Sequence, residues 1–298
     1  MPWLALLIGN GLHAVITALL GLSMITVADS LLILAIAAAA CAVLGAVVTR
    51  RGVSVSSAAG SARRSFGWLN VWTATTFVAF FCGVAVYSAV VVFTLAASVA
   101  PLAVTAWSAL QARRSHAPTR PGIAQWSAVC LLAALGASLV VALAGSDPRG
   151  IGALLVAAAL GIVDGTAGGG VAVVSRDLGT SGVGVWQVMA HRYYGTVAVA
   201  ALALLVLVPS GVLAAPSLPL STSGGAALAS LVAPFLLMQY AIQRLAPVLV
   251  TAALALVPVI ALFVEVAAGR PVNWTAILLG VLIVPASLAI FATRAQHA

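Results

Sequence analysis

Residues 68–110 read WLNVWTATTFVAFFCGVAVYSAVVVFTLAASVAPLAVTAWSAL, 43 consecutive positions without one charged side chain. At about 1.5 Å per residue, a single helix of that length would be roughly twice as long as the ~30 Å hydrocarbon core of a bilayer. The stretch must therefore fold back, with the reversal expected near Gly83 to Ser88. The rest of the chain has the same texture. Of its 298 residues, 63% are hydrophobic and 6% charged, with 13 basic and 5 acidic side chains, against roughly 25% charged in an ordinary soluble domain. So little charge cannot cover a water-facing surface, which excludes a water-soluble globular protein and makes the class an all-α polytopic membrane protein. The net charge of +8 comes entirely from arginines, placed singly or in pairs mostly at the ends of apolar runs. Orientation in a membrane accounts for them, so no nucleic-acid partner is expected. Cys41, Cys82 and Cys130 lie inside apolar runs and read as small buried hydrophobes, with no disulfide framework, metal site or cofactor implied.

Dividing the apolar runs by the roughly 20 residues needed to cross the bilayer gives ten spans, near 3–26, 30–49, 67–86, 89–110, 123–145, 150–174, 183–208, 225–243, 246–267 and 273–292. With the N-terminus in the cytoplasm, Arg50, Arg51, Arg63, Arg64, Arg113, Arg114, Arg120, Arg176, Arg244 and Arg294 fall inside, and Arg149 and Arg270 outside. That asymmetry predicts a multi-pass protein of the plasma (cytoplasmic, inner) membrane with both termini cytoplasmic. Met1-Pro2-Trp3 lacks the basic start of a cleaved signal peptide, so the first span is expected to be retained. The external connection 209–225 is rich in Pro, Ser and Gly and reads as a flexible loop. Pro101, Pro234, Pro247, Pro258 and Pro285 read as kinks.

The chain divides into halves of five spans, residues 1–146 and 147–298. In span four Thr94-Leu95-Ala96-Ala97-Ser98-Val99-Ala100-Pro101-Leu102 resembles Thr251-Ala252-Ala253-Leu254-Ala255-Leu256-Val257-Pro258-Val259 in span nine, and each is followed by an Arg-Pro pair, Arg120-Pro121 and Arg270-Pro271. Five is odd, so the second half enters the membrane upside down relative to the first, the inverted-repeat plan of many transporters, with a central site between the halves.

The run Tyr240-Ala241-Ile242-Gln243-Arg244-Leu245-Ala246-Pro247 through Leu256-Val257-Pro258-Val259, then Gly269-Arg270-Pro271 and Leu279-Gly280-Val281, resembles the end of an EamA-type domain of the drug/metabolite transporter superfamily. Span number, short loops and size extend the resemblance over nearly the whole chain. It implies a ten-helix carrier of small organic molecules, most often directed outward. Two positions depart from the family pattern: Arg270 stands where an acidic residue is common, and Val257 precedes Pro258 where a Glu is frequent.

Ionisable groups inside a bilayer cost roughly 2.5 to 3.5 kcal/mol each on insertion scales, so those that persist point to a cavity or partner. Counting along the helices puts His13 of span one, Asp164 of span six, and His191 and Arg192 of span seven roughly 12 to 15 Å from the cytoplasmic face, in one layer. Substrate binding or coupling is expected at His13, Asp164 and Arg192, with Asp164 and Arg192 as a buried pair and His13 or His191 titrating near neutral pH. Adjacent helical residues point about 100° apart, so His191 and Arg192 cannot easily share one cavity. Asn10, one turn before His13, is a candidate substrate contact. Trp186, Tyr193 and Tyr194 are candidates for an aromatic wall. Asp164-Gly165-Thr166-Ala167-Gly168-Gly169-Gly170 allows either close helix approach or a hinge beside Asp164. Glu265 can reach Arg270, and Asp29 reads as a solvated turn residue.

These features favour a secondary-active carrier of amino-acid-like or amphipathic metabolites, an exporter using alternating access with protons as the candidate coupling ion. An uptake carrier or facilitator would present the same sequence signals, and a non-transporting scaffold or lipid-interacting protein would share the bundle. Partners are a small-molecule substrate and the lipid bilayer, with the protein a monomer or homodimer. No enzymatic role is expected: Gly179-Thr180-Ser181-Gly182 matches the Gly-x-Ser-Gly pattern of intramembrane serine proteases, but follows Arg176-Asp177 at the expected membrane surface.

Overall fold

Backbone groups in hydrocarbon have no water to bond, so apolar runs of this kind satisfy themselves as helices. A computed structural model describes all residues except 24, 52–58, 116–120, 145–148, 220–221, 223–224, 226–231, 272 and 296–298. Among the described residues the helices are α1 Pro2–Leu22, α2 Val27–Arg51, α3 Ala59–Val86, α4 Ala89–Ser115, α5 Ile123–Leu143, α6 Gly150–Thr180, α7 Val185–His191, α8 Tyr194–Leu207, α9 Ala233–Ile242, α10 Pro247–Ala253, α11 Leu256–Ala267 and α12 Trp274–Ala295. Taking α7 with α8 and α10 with α11, nine of these are long and apolar enough to cross a membrane, and the chain is a polytopic membrane protein. The α9 segment has ten residues, half a span, and much of the expected eighth span lies outside the described residues. Large apolar side chains face outward along the bundle, among them Leu155, Leu202, Leu205 and Leu288, as a lipid-facing surface requires.

The charge-free stretch reverses where expected, between Val86 and Ala89, and the Ser88 hydroxyl accepts from the Val91 N–H at 3.3 Å to start α4. Prolines act unequally. Pro101 and Pro285 lie inside continuous helices. Pro247 is not an interior kink, because it stands in the first turn of α10 after the extended Ala246, where the missing N–H costs nothing; Pro234 stands near the start of the described part of α9. The break between α10 and α11 falls at 254–255, where the ring of Pro258 would meet the carbonyl of Leu254.

α6 runs unbroken through the glycine-rich stretch after Asp164. The stretch is a packing surface. A Cβ on Gly165 would lie 2.5 Å from the Ala96 carbonyl oxygen, and one on Gly170 would meet the Trp72 ring at 2.8 Å. The small residues thereby let α6 seat against α4 and α3, its principal neighbours. Likewise Gly45 brings α2 onto the backbone of Ala190 in α7.

Three expectations about exposure fail. Asp29 is fully buried: its carboxylate accepts from the Thr26 N–H and hydroxyl, the Ser217 N–H and hydroxyl, and the Leu218 N–H, at 2.7 to 3.0 Å. The described part of the 209–225 connection is thus tied to α2 rather than free, and Leu213 and Leu218 pack on the core. Cys130 is exposed on the outer surface, while Cys41 is buried and all three thiols are free.

Candidate functional site

Seven helical elements and the break between α7 and α8 line a cavity of about 120 Å³, room for several water molecules. His13 from α1, Asp164 from α6 and Arg192 from the α7–α8 break all line it. Its remaining wall is largely apolar, with Phe77 and Phe80 of α3, Phe93 of α4 and Phe235 of α9 contributing aromatic rings.

Each polar group is held differently. The Asp164 side chain takes its hydrogen bond from Thr76 of α3, whose hydroxyl lies 3.0 Å from the carboxyl oxygen and 2.9 Å from the Asp164 backbone oxygen. Arg192 donates from a terminal guanidinium nitrogen to the Gln239 side-chain oxygen on α9, and its guanidinium carbon lies 5.0 Å from the Tyr193 ring centroid. His13 Nδ1 lies 3.4 Å from the Thr17 hydroxyl, and its ring is 5.4 Å from each of the Phe80, Phe93 and Phe235 ring centroids.

The expected Asp164–Arg192 ion pair is absent. Both residues face the same cavity, yet the carboxyl is bonded to Thr76 and the guanidinium to a neutral amide. The reason is the helix break. α7 ends at His191 and α8 begins at Tyr194, so Arg192 is directed by the break rather than by a straight seventh helix. The break is bridged by Asn70 of α3: its amide nitrogen donates to the His191 carbonyl at 2.6 Å, and its amide oxygen accepts from the Gly195 N–H at 2.9 Å. One side-chain amide thus substitutes for hydrogen bonds the interrupted helix cannot make.

The burial of Arg192 has a measurable cost. It is 4% exposed, and its cation–π contact, about 2 kcal/mol or more when desolvated, stands against the several kcal/mol lost in removing a charge from water. A neutral hydrogen-bond partner does not cancel that charge.

The other expected site residues lie elsewhere. His191 is exposed, its ring packed between Phe66 and Tyr194 at centroid distances of 5.4 and 5.7 Å, because the neighbouring position turns Arg192 inward. Tyr193 is buried behind the wall, stacked with Phe77 and Phe235 at 6.1 and 6.5 Å. Trp186 and Tyr194 face outward. Asn10 is buried but does not line the cavity, and its amide finds no hydrogen-bond partner among the described residues. Glu265 reaches Arg270 at 3.1 Å. Ser181 of the Gly-x-Ser-Gly match caps the end of α6, its exposed hydroxyl donating to the Asp177 carbonyl at 2.8 Å.

Comparison with known proteins adds the architecture. Neither a protein-family model nor a curated protein matches the sequence. A solved crystal structure does match, covering 99% of this chain and 99% of that chain with a TM-score of 0.62 at 18% sequence identity. The likeness is one of fold alone. It extends over the whole helical bundle, including the elements that line the cavity.

The uncharged residues Thr76, Gln239 and Asn70 complete the site and were not singled out from sequence. Each is a hydrogen-bonding side chain inside an apolar run, which is the only signal the sequence carries for them.

Proposed function

We propose that this chain is a secondary-active carrier of small amphipathic organic metabolites, amino-acid-like compounds among them, exporting them by alternating access with protons as the coupling ion. The observation that carries this reading is the single cavity lined by His13, Asp164 and Arg192. Ionisable groups retained inside a membrane bundle, with Asp164 and Arg192 not neutralising each other, are characteristic of substrate and ion pathways.

In this reading the chain is an EamA-type member of the drug/metabolite transporter superfamily, with ten spans in two inverted halves, 1–146 and 147–298. The pattern of neighbours supports that symmetry. α1 packs on α9 and α11, and its counterpart in the other half, α6, packs on α3 and α4. α2 packs on its own counterpart α7–α8, α5 on its counterpart α12, and α4 on its counterpart α10–α11. Exchanging the halves maps these contacts onto one another, and residues of both halves line the cavity, as expected where inverted-repeat carriers bind substrate. The arginine asymmetry favours cytoplasmic termini in the plasma membrane, as a monomer or homodimer.

Counterflow in proteoliposomes tests the reading. Vesicles preloaded with unlabelled compound are offered the same compound in radiolabelled form, across a panel of amphipathic metabolites headed by L-leucine. At least one member should accumulate transiently above protein-free vesicles. A scaffold would give no counterflow with any of them.

A further inference from the structure

We propose that Arg192 forms a carboxylate-binding subsite, so that the cavity takes a small amphipath carrying one carboxylate, its head on the guanidinium and its apolar body along Phe77, Phe80, Phe93 and Phe235. This rests on reading the cavity as the substrate chamber.

Three observations lead to that ligand chemistry. The guanidinium is fixed in charge, lines the cavity, is 4% exposed, and has a neutral amide oxygen as its hydrogen-bond partner. Its Nε is buried without a hydrogen-bond partner, as is the amide nitrogen of the fully buried Gln239 to which it is bonded. Donors are therefore in surplus at this end of the chamber, and what is missing is an acceptor carrying negative charge. A carboxylate matches a guanidinium in planarity, charge and spacing, and accepts two parallel N–H bonds from it.

The rest of the cavity limits the ligand further. Asp164 lines the same cavity, so a dianion such as a phosphate monoester would bring surplus negative charge toward a carboxyl group. One negative charge matches one guanidinium. The four phenylalanine rings offer no hydrogen bonds to a polar body, and the cavity of about 120 Å³ restricts its size. A simple amine is disfavoured because it would place a second cation beside Arg192.

The test is equilibrium binding to the purified full-length chain in detergent, read by calorimetry and by ligand-dependent thermal shift. The probes are 4-methylpentanoate, its neutral counterpart 4-methylpentanamide, and 3-methylbutylamine. The carboxylate should bind at least about tenfold more tightly than the amide, with the amine no better than the amide. Arg192→Gln should erase the carboxylate preference. Equal binding of carboxylate and amide, absence of carboxylate binding, or a preference that survives in Arg192→Gln overturns the proposal. If Arg192→Gln does not fold, the carboxylate-to-amide ratio of the unmodified protein decides alone. Counterflow on the same preparation separates this proposal from the carrier reading. A protein that exchanges 3-methylbutylamine and ignores the carboxylate sinks the subsite but leaves the carrier, whereas one that binds the carboxylate and exchanges nothing sinks the carrier but leaves the subsite.

Discussion

Thr76 holds Asp164 at two points, its hydroxyl lying 2.9 Å from the backbone oxygen and 3.0 Å from a carboxyl oxygen of the same residue. One hydroxyl proton of α3 is therefore shared between the main chain and the functional group of Asp164 at the cavity wall. Six residues earlier on α3, Asn70 fixes the break that directs Arg192. The two cavity charges, which do not touch, are positioned from one helix.

Replacing Thr76 by Val keeps the shape and removes the hydroxyl, leaving a buried carboxyl unpaired. The expected loss is about 1 to 3 kcal/mol of stability, read as a lower unfolding midpoint in detergent, while Thr76→Ser stays close to the parent. Equal midpoints for the Val and Ser variants would show that the contact contributes nothing.

Asn70→Ala should free the His191 carbonyl and the Gly195 N–H together. The expected signature is local: faster hydrogen exchange at the Gly195 amide, with a stability loss of about 1 to 3 kcal/mol. Unchanged exchange at Gly195 would mean the bridge does not hold the break.

Gly165 and Gly152 lie on the same helix in opposite situations. A Cβ at Gly165 meets the Ala96 backbone at 2.5 to 3.0 Å, whereas one at Gly152 meets nothing within 4 Å. Gly165→Ala is expected to cost about 1 to 3 kcal/mol through forced separation of α6 from α4. Gly152→Ala should change stability by no more than about 1 kcal/mol, toward greater stability. Thermal unfolding of the two variants side by side checks the contrast, and similar destabilisation of both would contradict it.

Asp29→Asn replaces one carboxylate oxygen by an amide NH2, leaving one acceptor oxygen where Oδ1 serves two donors and Oδ2 three. The Ser217 and Leu218 amides should then exchange faster and the connection after α8 should detach from α2, at a cost of about 1 to 3 kcal/mol. Protection at both amides equal to the parent would exclude the latch.

Run length and charge spacing carried most of the architecture because a bilayer fixes how many residues a helix needs. The reversal near Gly83 to Ser88 and the break preceding Pro258 both follow from that rule and from proline sterics. The break after His191 does not: no proline marks it, and its supporting partner, Asn70, is 121 positions away from His191. Asp29 was misread for the same reason, since its deciding partner Ser217 is 188 positions distant. His13, Asp164 and Arg192 could be chosen because charge is costly in hydrocarbon and counting residues gives depth. Rotation about the helix axis is not given by counting. That is why Asn10 and Tyr193 were placed on the wall they do not line, and why Asp164 and Arg192 were paired.

The most direct measurement is pH-gradient-driven movement in proteoliposomes of the radiolabelled panel compound that gives the strongest counterflow, compared among the parent, Asp164→Asn and His13→Ala, each first checked for folding and insertion. The parent should move label beyond protein-free vesicles, and both variants should lose the gradient-dependent part. Parent vesicles indistinguishable from protein-free ones, or variants that keep the full gradient response, would contradict a proton-coupled carrier built on this cavity.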